Sequence, residues 1–94
     1  MHATFTLVMV RERDGRYSVS VPALKGCHTW GNDLAHALHA AEEAIRGFAN
    51  SMQKHGEALP ADVEVFSGSL GEATEALVLK VAVSLEETAE SLAV

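Results

Sequence analysis

Between Asp33 and His55, apolar residues recur at Leu34, Ala37, Leu38, Ala41, Ile45, Phe48, Ala49 and Met52. That alternation of three- and four-residue steps lays one stripe along one face of an α-helix. Asp33 is placed to cap its start, because a short carboxylate accepts hydrogen bonds from the unpaired N–H groups of a first turn. Gly56 suits the left-handed residue that ends many helices, and Pro60 follows where a helix cannot continue. At 1.5 Å per residue the rod is about 33 Å long. A single stripe of that length needs a single partner surface, and only the strands before and after it can supply one. The expected architecture is therefore α+β, in the order β-β-β-α-β, with one long helix on a mostly antiparallel sheet.

Phe5 to Arg11 and Tyr17 to Val21 read as two strands around Asp14-Gly15, a dipeptide that fits a two-residue hairpin turn of type I′. Such a turn would pair Val10 with Val19 and Val8 with Val21. It would place Val8, Val10, Tyr17, Val19 and Val21 under the helix. The opposite face would then carry Phe5, Leu7 and Met9 beside Ser18 and Ser20, more apolar surface than a solvated sheet needs. Phe5, Leu7 and Met9 are accordingly the candidate oligomer face. Pro22 to Gly26 is a turn-rich crossing, and Cys27 to Trp30 a short third strand leading into the helix through Gly31 and Asn32. Gly47, inside the helix, suggests a close approach to the sheet. Glu42 with Arg46 and His39 with Glu43 have the spacing of exposed helix pairs.

Val63 to Phe66 has the pattern of a short edge strand, and Ser67 to Ala76 that of a loop. Leu77 to Val83, apolar except at Lys80, reads as a strand covered on both faces or lying in an oligomer contact. Ser84 and Glu87 have the spacing of a capping box, which predicts a short C-terminal helix from Leu85 to Ala93. The chain thus divides into one domain over 3–84 and a short helix or tail over 85–94.

Ninety-four residues suffice for one domain with its own core. A single cysteine, Cys27, makes no internal disulfide and fits a reducing compartment. No stretch has the roughly eighteen apolar residues of a membrane span, and the N-terminus lacks the pattern of a signal peptide. Cytoplasmic location, without membrane contact, is the expectation. The net charge of −6 lies in the second half, where Lys54 and Lys80 face eight acids, while residues 1–47 balance five against five. An acidic half repels phosphate, so direct binding of nucleic acid is disfavoured and a basic protein is attracted. The same charge also serves solubility.

The residues with reactive side chains do not assemble into a site by spacing. His36 and His39 are three apart on the helix, with Cys27 and His28 upstream. A zinc site would need three or four such ligands to converge, whereas the histidines lie opposite the apolar stripe and Cys27 faces the sheet. Neighbouring strand residues point to opposite faces, so Cys27 and His28 cannot act as nucleophile and base. Asp14, Asp33 and Glu12 read as a turn residue, a cap and a hairpin charge. The chain is expected to be no enzyme and to need no cofactor or metal. Trp30, the one large aromatic near a strand end, is either a partner anchor or a lid on the end of the core.

The run Asp14-Gly15-Arg16-Tyr17, the segment Val21-Pro22-Ala23-Leu24-Lys25-Gly26-Cys27-His28-Thr29-Trp30-Gly31-Asn32, the helix with Glu43-Ala44-Ile45, and the exit Gly56-Glu57-Ala58-Leu59-Pro60 together resemble the HicB family of antitoxins. The resemblance covers residues 5 to 60 and, more loosely, the strand at 77–83. It implies a fold similar to a truncated RNase H core without the nuclease carboxylates. It also implies a HicA-like partner, a small basic ribonuclease that cuts mRNA, and assembly as a dimer or tetramer. Many members carry a C-terminal DNA-binding module; the acidic tail here does not read as one, so no operator binding is expected of this chain. The resulting reading is an antitoxin-type protein that binds and inhibits a HicA-like toxin without catalysis. Its candidate partner-binding residues are Trp30, Glu86, Glu87 and Glu90. The alternative is an orphan HicB-like oligomeric domain with a structural or ligand-binding role and no toxin.

Overall fold

The computed structural model describes residues 2–64 and 75–85. Four strands and one helix follow in the order β1 (His2–Arg11), β2 (Tyr17–Ser20), β3 (His28–Gly31), α1 (Leu34–Lys54) and β4 (Ala76–Ser84). The strands form one antiparallel sheet in the spatial order β3-β2-β1-β4. This is the α+β arrangement expected from the stripe. The C-terminal helix expected over 85–93 lies outside the described residues apart from Leu85, which is buried. Of the strand expected at Val63 to Phe66, Val63 and Glu64 are not in a strand and the rest lies outside the described residues.

The helix is fixed at both ends by its own sequence. The Asp33 carboxylate accepts from the His36 N–H at 2.8 Å. At the other end the Gly56 N–H donates to Gln53 O at 3.1 Å and the Glu57 N–H to Met52 O at 2.8 Å, the paired bonds of a Schellman motif. Ala37, Ala41, Ile45 and Ala49 are the buried line of the stripe. Three of the four are alanines, so the rod lies close to the sheet, and Phe5, Leu7, Met9, Val19, Leu24 and Cys27 fill the space beneath it. Leu34, at the first turn, is 38% exposed and does not join that line.

The hairpin differs from the expected one by a single residue, with large consequences. β1 pairs β2 as Arg11↔Tyr17, Val10↔Ser18, Met9↔Val19 and Val8↔Ser20. The Glu12 N–H donates to Arg16 O at 2.7 Å and the Gly15 N–H to Glu12 O at 3.0 Å. The loop is therefore the three residues Arg13, Asp14 and Gly15. Gly15 has φ 93°, and no residue other than glycine has positive φ among the described residues, which excludes the I′ turn, where Asp14 would need it. This is a tight turn closed by a left-handed glycine, the usual three-residue hairpin. A shift of one residue exchanges the faces of a strand. Phe5, Leu7 and Met9 are consequently at 1%, 0% and 0% exposure beneath the helix, and they are core residues, not an oligomer face. Val8 and Val10 stand on the outer face instead.

The close approach between helix and sheet occurs at Gly31, not Gly47. A Cβ on Gly31 would lie 2.3 Å from the Ala37 backbone nitrogen, whereas one on Gly47 would meet nothing within 4 Å. β4 is an edge strand, exposed over much of its length, with Leu77 and Val78 at 40% and 38%. The expectation of cover on both faces fails for a single chain.

Candidate protein-binding surface

The outer face of the sheet, away from α1, carries the polar and aromatic groups that strand alternation assigns to it. Ser18 faces Trp30 and Ser20 faces His28 across β2 and β3. Thr6 faces Lys80, and Val8 faces Val78, across β1 and β4. Trp30 is 51% exposed on this face, so it does not close the core. The Arg16 guanidinium stands over its indole, 5.3 Å from the ring centroid, within the range of a cation–π contact. The His36 ring meets it edge-on at 6.0 Å.

Each neighbour of Trp30 is itself held. Arg16 Nε donates to Asp14 Oδ2 at 2.8 Å, and the Arg16 N–H donates to Asp14 Oδ1 at 3.0 Å. These contacts, the backbone N–H of Arg16 foremost, hold the Asp14 carboxyl below the usual carboxylate range. His36 Nδ1 accepts from the Asn32 N–H at 3.0 Å, and the Ser18 hydroxyl donates to Glu12. The result is a shallow depression of about 650 Å³ with Glu12, Arg13, Asp14, Arg16 and Trp30 among its lining residues. An amphipathic ring framed by oriented charges of both signs, in an open depression, is suited to a protein surface rather than to an enclosed small molecule.

Further along the same face, three residues form a latch. Asp62 Oδ1 accepts from the Thr6 N–H at 2.9 Å, and Asp62 Oδ2 accepts from the Thr6 hydroxyl at 2.7 Å. Lys80 Nζ donates to Asp62 Oδ2 and to Thr6 Oγ1, both at 2.8 Å. Partial burial alone would raise the Asp62 pKa. The bonds from Lys80 and Thr6 outweigh it and hold the carboxyl down at about 2. Sequence reading passed over Asp62, because no periodic signal surrounds it.

The residues considered for chemistry remain apart. Cys27 is buried under the helix, where desolvation pushes its thiol pKa up, and His28 is exposed on the outer face. His39 pairs with Glu43 at 3.3 Å on the far side of the helix, while Arg46 donates to Ser84 O at 3.2 Å instead of meeting Glu42. Among the described residues no three His, Cys, Asp or Glu side chains come together as metal ligands. Nor is any described helix long and apolar enough to cross a membrane. Glu86, Glu87 and Glu90 lie outside the described residues.

Comparison with known proteins gives a consistent result. Residues 5–91 match the family model described as HicB-like antitoxin of bacterial toxin-antitoxin system. A UPF0150 protein of Thermoplasma acidophilum is 43% identical over 58 residues, covering 62% of this chain and 84% of the relative. One from Synechocystis is 32% identical over 56 residues, covering 60% and 71%. The structure is similar to the N-terminal domain of the Burkholderia pseudomallei antitoxin HicB, with TM-score 0.64 and 23% identity over 88% of this chain and 98% of that one. It is also similar to a chain of the HicA3 and HicB3 toxin-antitoxin complex, with TM-score 0.63 and 19% identity over 88% and 98%. At these identities the structural likeness is one of fold.

Proposed function

The chain belongs to the HicB-like antitoxin family of bacterial toxin–antitoxin systems, and on that premise we propose that it binds and inhibits a HicA-like, mRNA-cleaving toxin as a non-catalytic protein partner. The family match over residues 5–91 is the observation that carries this reading. The fold shared with a chain of a toxin–antitoxin complex supports it.

Inhibition of this kind needs no reactive group in the inhibitor. It needs a surface that covers the toxin's RNA-binding or catalytic groups more favourably than water or RNA does. A ribonuclease is basic where it binds phosphate, and a chain of net charge −6 is attracted to such a surface over long range. Trp30 supplies the short-range part, since tryptophan offers a large apolar area at low entropic cost in a place already oriented by Arg16 and His36. Glu86, Glu87 and Glu90 add acidic charge to the same role.

The test is to purify the chain and the product of the adjacent gene, then measure RNA cleavage by that product as the chain is titrated in. Stoichiometric loss of cleavage, weakened by Trp30→Ala, is expected. Undiminished cleavage at excess chain, with no complex by calorimetry, would refute the reading.

A further inference from the structure

Of the two strands that border the sheet, β3 is the one with a half-exposed aromatic ring beside its open edge. The hydrogen bonds define what that edge presents. The Val21 N–H donates to Cys27 O at 3.1 Å, so Cys27 is turned toward β2. Backbone groups alternate in direction along a strand, and the pairs Val19↔Thr29 and Tyr17↔Gly31 continue the same rungs. The N–H and C=O of His28 and of Trp30 therefore point away from the sheet. Among the described residues none of these groups has a backbone partner. The strand His-Thr-Trp-Gly has neither a proline nor a Lys, Arg, Asp or Glu to guard them.

The space beside that edge is open on the helix side as well. α1 runs back beneath β3, since a Cβ on Gly31 would strike Ala37 and one on Gly26 would lie 3.9 Å from Phe48. The His36 ring reaches Trp30, whereas Arg46 reaches Ser84 of β4. The helix flank that begins at His36 thus lies on the open side of β3. One turn and three turns further along it come Ala40 and Gly47. Both are small, and a Cβ on Gly47 would meet nothing within 4 Å. A strand added at this edge has room for a side chain between itself and the helix.

We propose that an extended segment of the partner protein adds to the sheet at β3. It bonds to the outward groups of His28 and Trp30, lays one side chain against the Trp30 indole, and turns the next onto the helix flank at Ala40. The pairing deepens the inhibitor reading and rests on it. Backbone bonds along a four-residue strand are too few to hold a complex alone. The exposed indole on the same strand adds the apolar area that an anchor supplies. A second copy of this chain does not fit the edge. Two β3 strands would lie about 4.8 Å apart, and the helices beneath them would crowd inside the roughly 8–10 Å that packed helices need. A strand with no helix under it fits, and the net charge of −6 favours one from a basic protein.

The test is amide exchange, followed by NMR on the isotope-labelled full chain, alone and saturated with the product of the adjacent gene. In the free chain the His28 and Trp30 N–H groups should exchange fast, and those of Thr29 and Gly31 slowly. In the complex His28 and Trp30 should slow by about tenfold or more. Calorimetry of two substitutions supplies a second measurement. His28→Pro deletes one outward N–H and leaves the bonds to β2 in place. It should bind at least about tenfold more weakly than His28→Ala, which loses the same ring but keeps the N–H. No complex with the unmodified chain sinks the inhibitor reading and this pairing together. A complex in which His28 and Trp30 still exchange fast, or in which protection is gained along β4 instead, overturns the pairing alone. So does a folded His28→Pro chain that binds as tightly as His28→Ala; if that variant does not fold, the exchange rates decide.

Discussion

The Asp62 carboxylate takes both the backbone N–H and the hydroxyl of Thr6, at 2.9 and 2.7 Å, across 56 residues of sequence. The register of β1 with β2, continued by two positions, would place Pro22 opposite Thr6. Proline has no N–H, and the chain has already turned away through the bonds of Val21, Leu24 and Cys27. Asp62 occupies the rung that β2 vacates. It thereby fastens the segment leaving the helix to the middle of the sheet and keeps Thr6, only 2% exposed, fully bonded.

That carboxyl is held down at about 2 in the fold, well below the ordinary aspartate range, by its bonds from Lys80 and Thr6. A depressed folded-state value stabilises the native state above the unfolded pKa, and the stabilisation is lost as pH falls from about 4 through 2. With solvent still reaching the group, its worth is on the order of 1 kcal/mol. Asp62→Asn should melt several degrees lower than the unmodified chain at pH 6, and the gap should close as the pH is brought toward 2. Thermal unfolding followed by circular dichroism at a series of pH values measures this. A gap independent of pH would count against the assigned charge.

Gly31 and Gly47 should respond to the same change with opposite signs. Alanine at Gly31 drives a methyl into backbone atoms of Ala37 and His36 that belong to the helix and cannot swing aside, for a loss of about 2–4 kcal/mol. Alanine at Gly47 meets nothing and removes a flexible residue from a helix interior, for a gain of about 0.5–1 kcal/mol. Denaturant unfolding of the two variants decides it.

Leu7→Ala should cost about 2–5 kcal/mol, the usual range for truncating a buried leucine, and Leu7→Glu should abolish the folded state, since Leu7 lies at 0% exposure beneath the helix. A folded, monomeric Leu7→Glu protein would restore the exposed face that the hairpin register rules out.

Trp30→Ala should leave the melting temperature within about 2 °C, since the ring is half-exposed and supports no buried neighbour. If Trp30 anchors the toxin, the same variant should weaken the complex by about 2 kcal/mol or more, close to thirtyfold in the dissociation constant. Calorimetric titration of the pair reads both affinity and stoichiometry.

The helix was legible because its signal is redundant: eight apolar positions, a capping aspartate and a closing glycine all agree. The strands were legible as segments, since runs such as Leu77 to Val83 have few other uses. What failed was the register, because Asp-Gly also fits a three-residue loop whose last position is a left-handed glycine, and the alternating pattern of β1 is apolar on both sides. With Phe5, Leu7 and Met9 on one face and Val8 and Val10 on the other, hydropathy could not choose. Gly47 drew attention as a glycine within a helix, but the close contact sits at Gly31, where only the crossing of strand and helix reveals it. Trp30 stood out by residue type, while its frame of Arg16, Asp14 and His36 depends on the turn geometry. Asp62 carried no local signal, for its partners are 56 and 18 residues away.

The three-residue loop Arg13-Asp14-Gly15 works as a parity bit for the whole sheet. Removing one residue from it asks β1 either to turn inside out, presenting Thr6, Val8 and Val10 to the helix, or to absorb the deficit in a compensating kink. Drift in the length of this tip is therefore not neutral in the way surface loops usually are: relatives that keep the helix-facing set Phe5, Leu7 and Met9 must change it by even steps, or carry a bulge that makes up the difference.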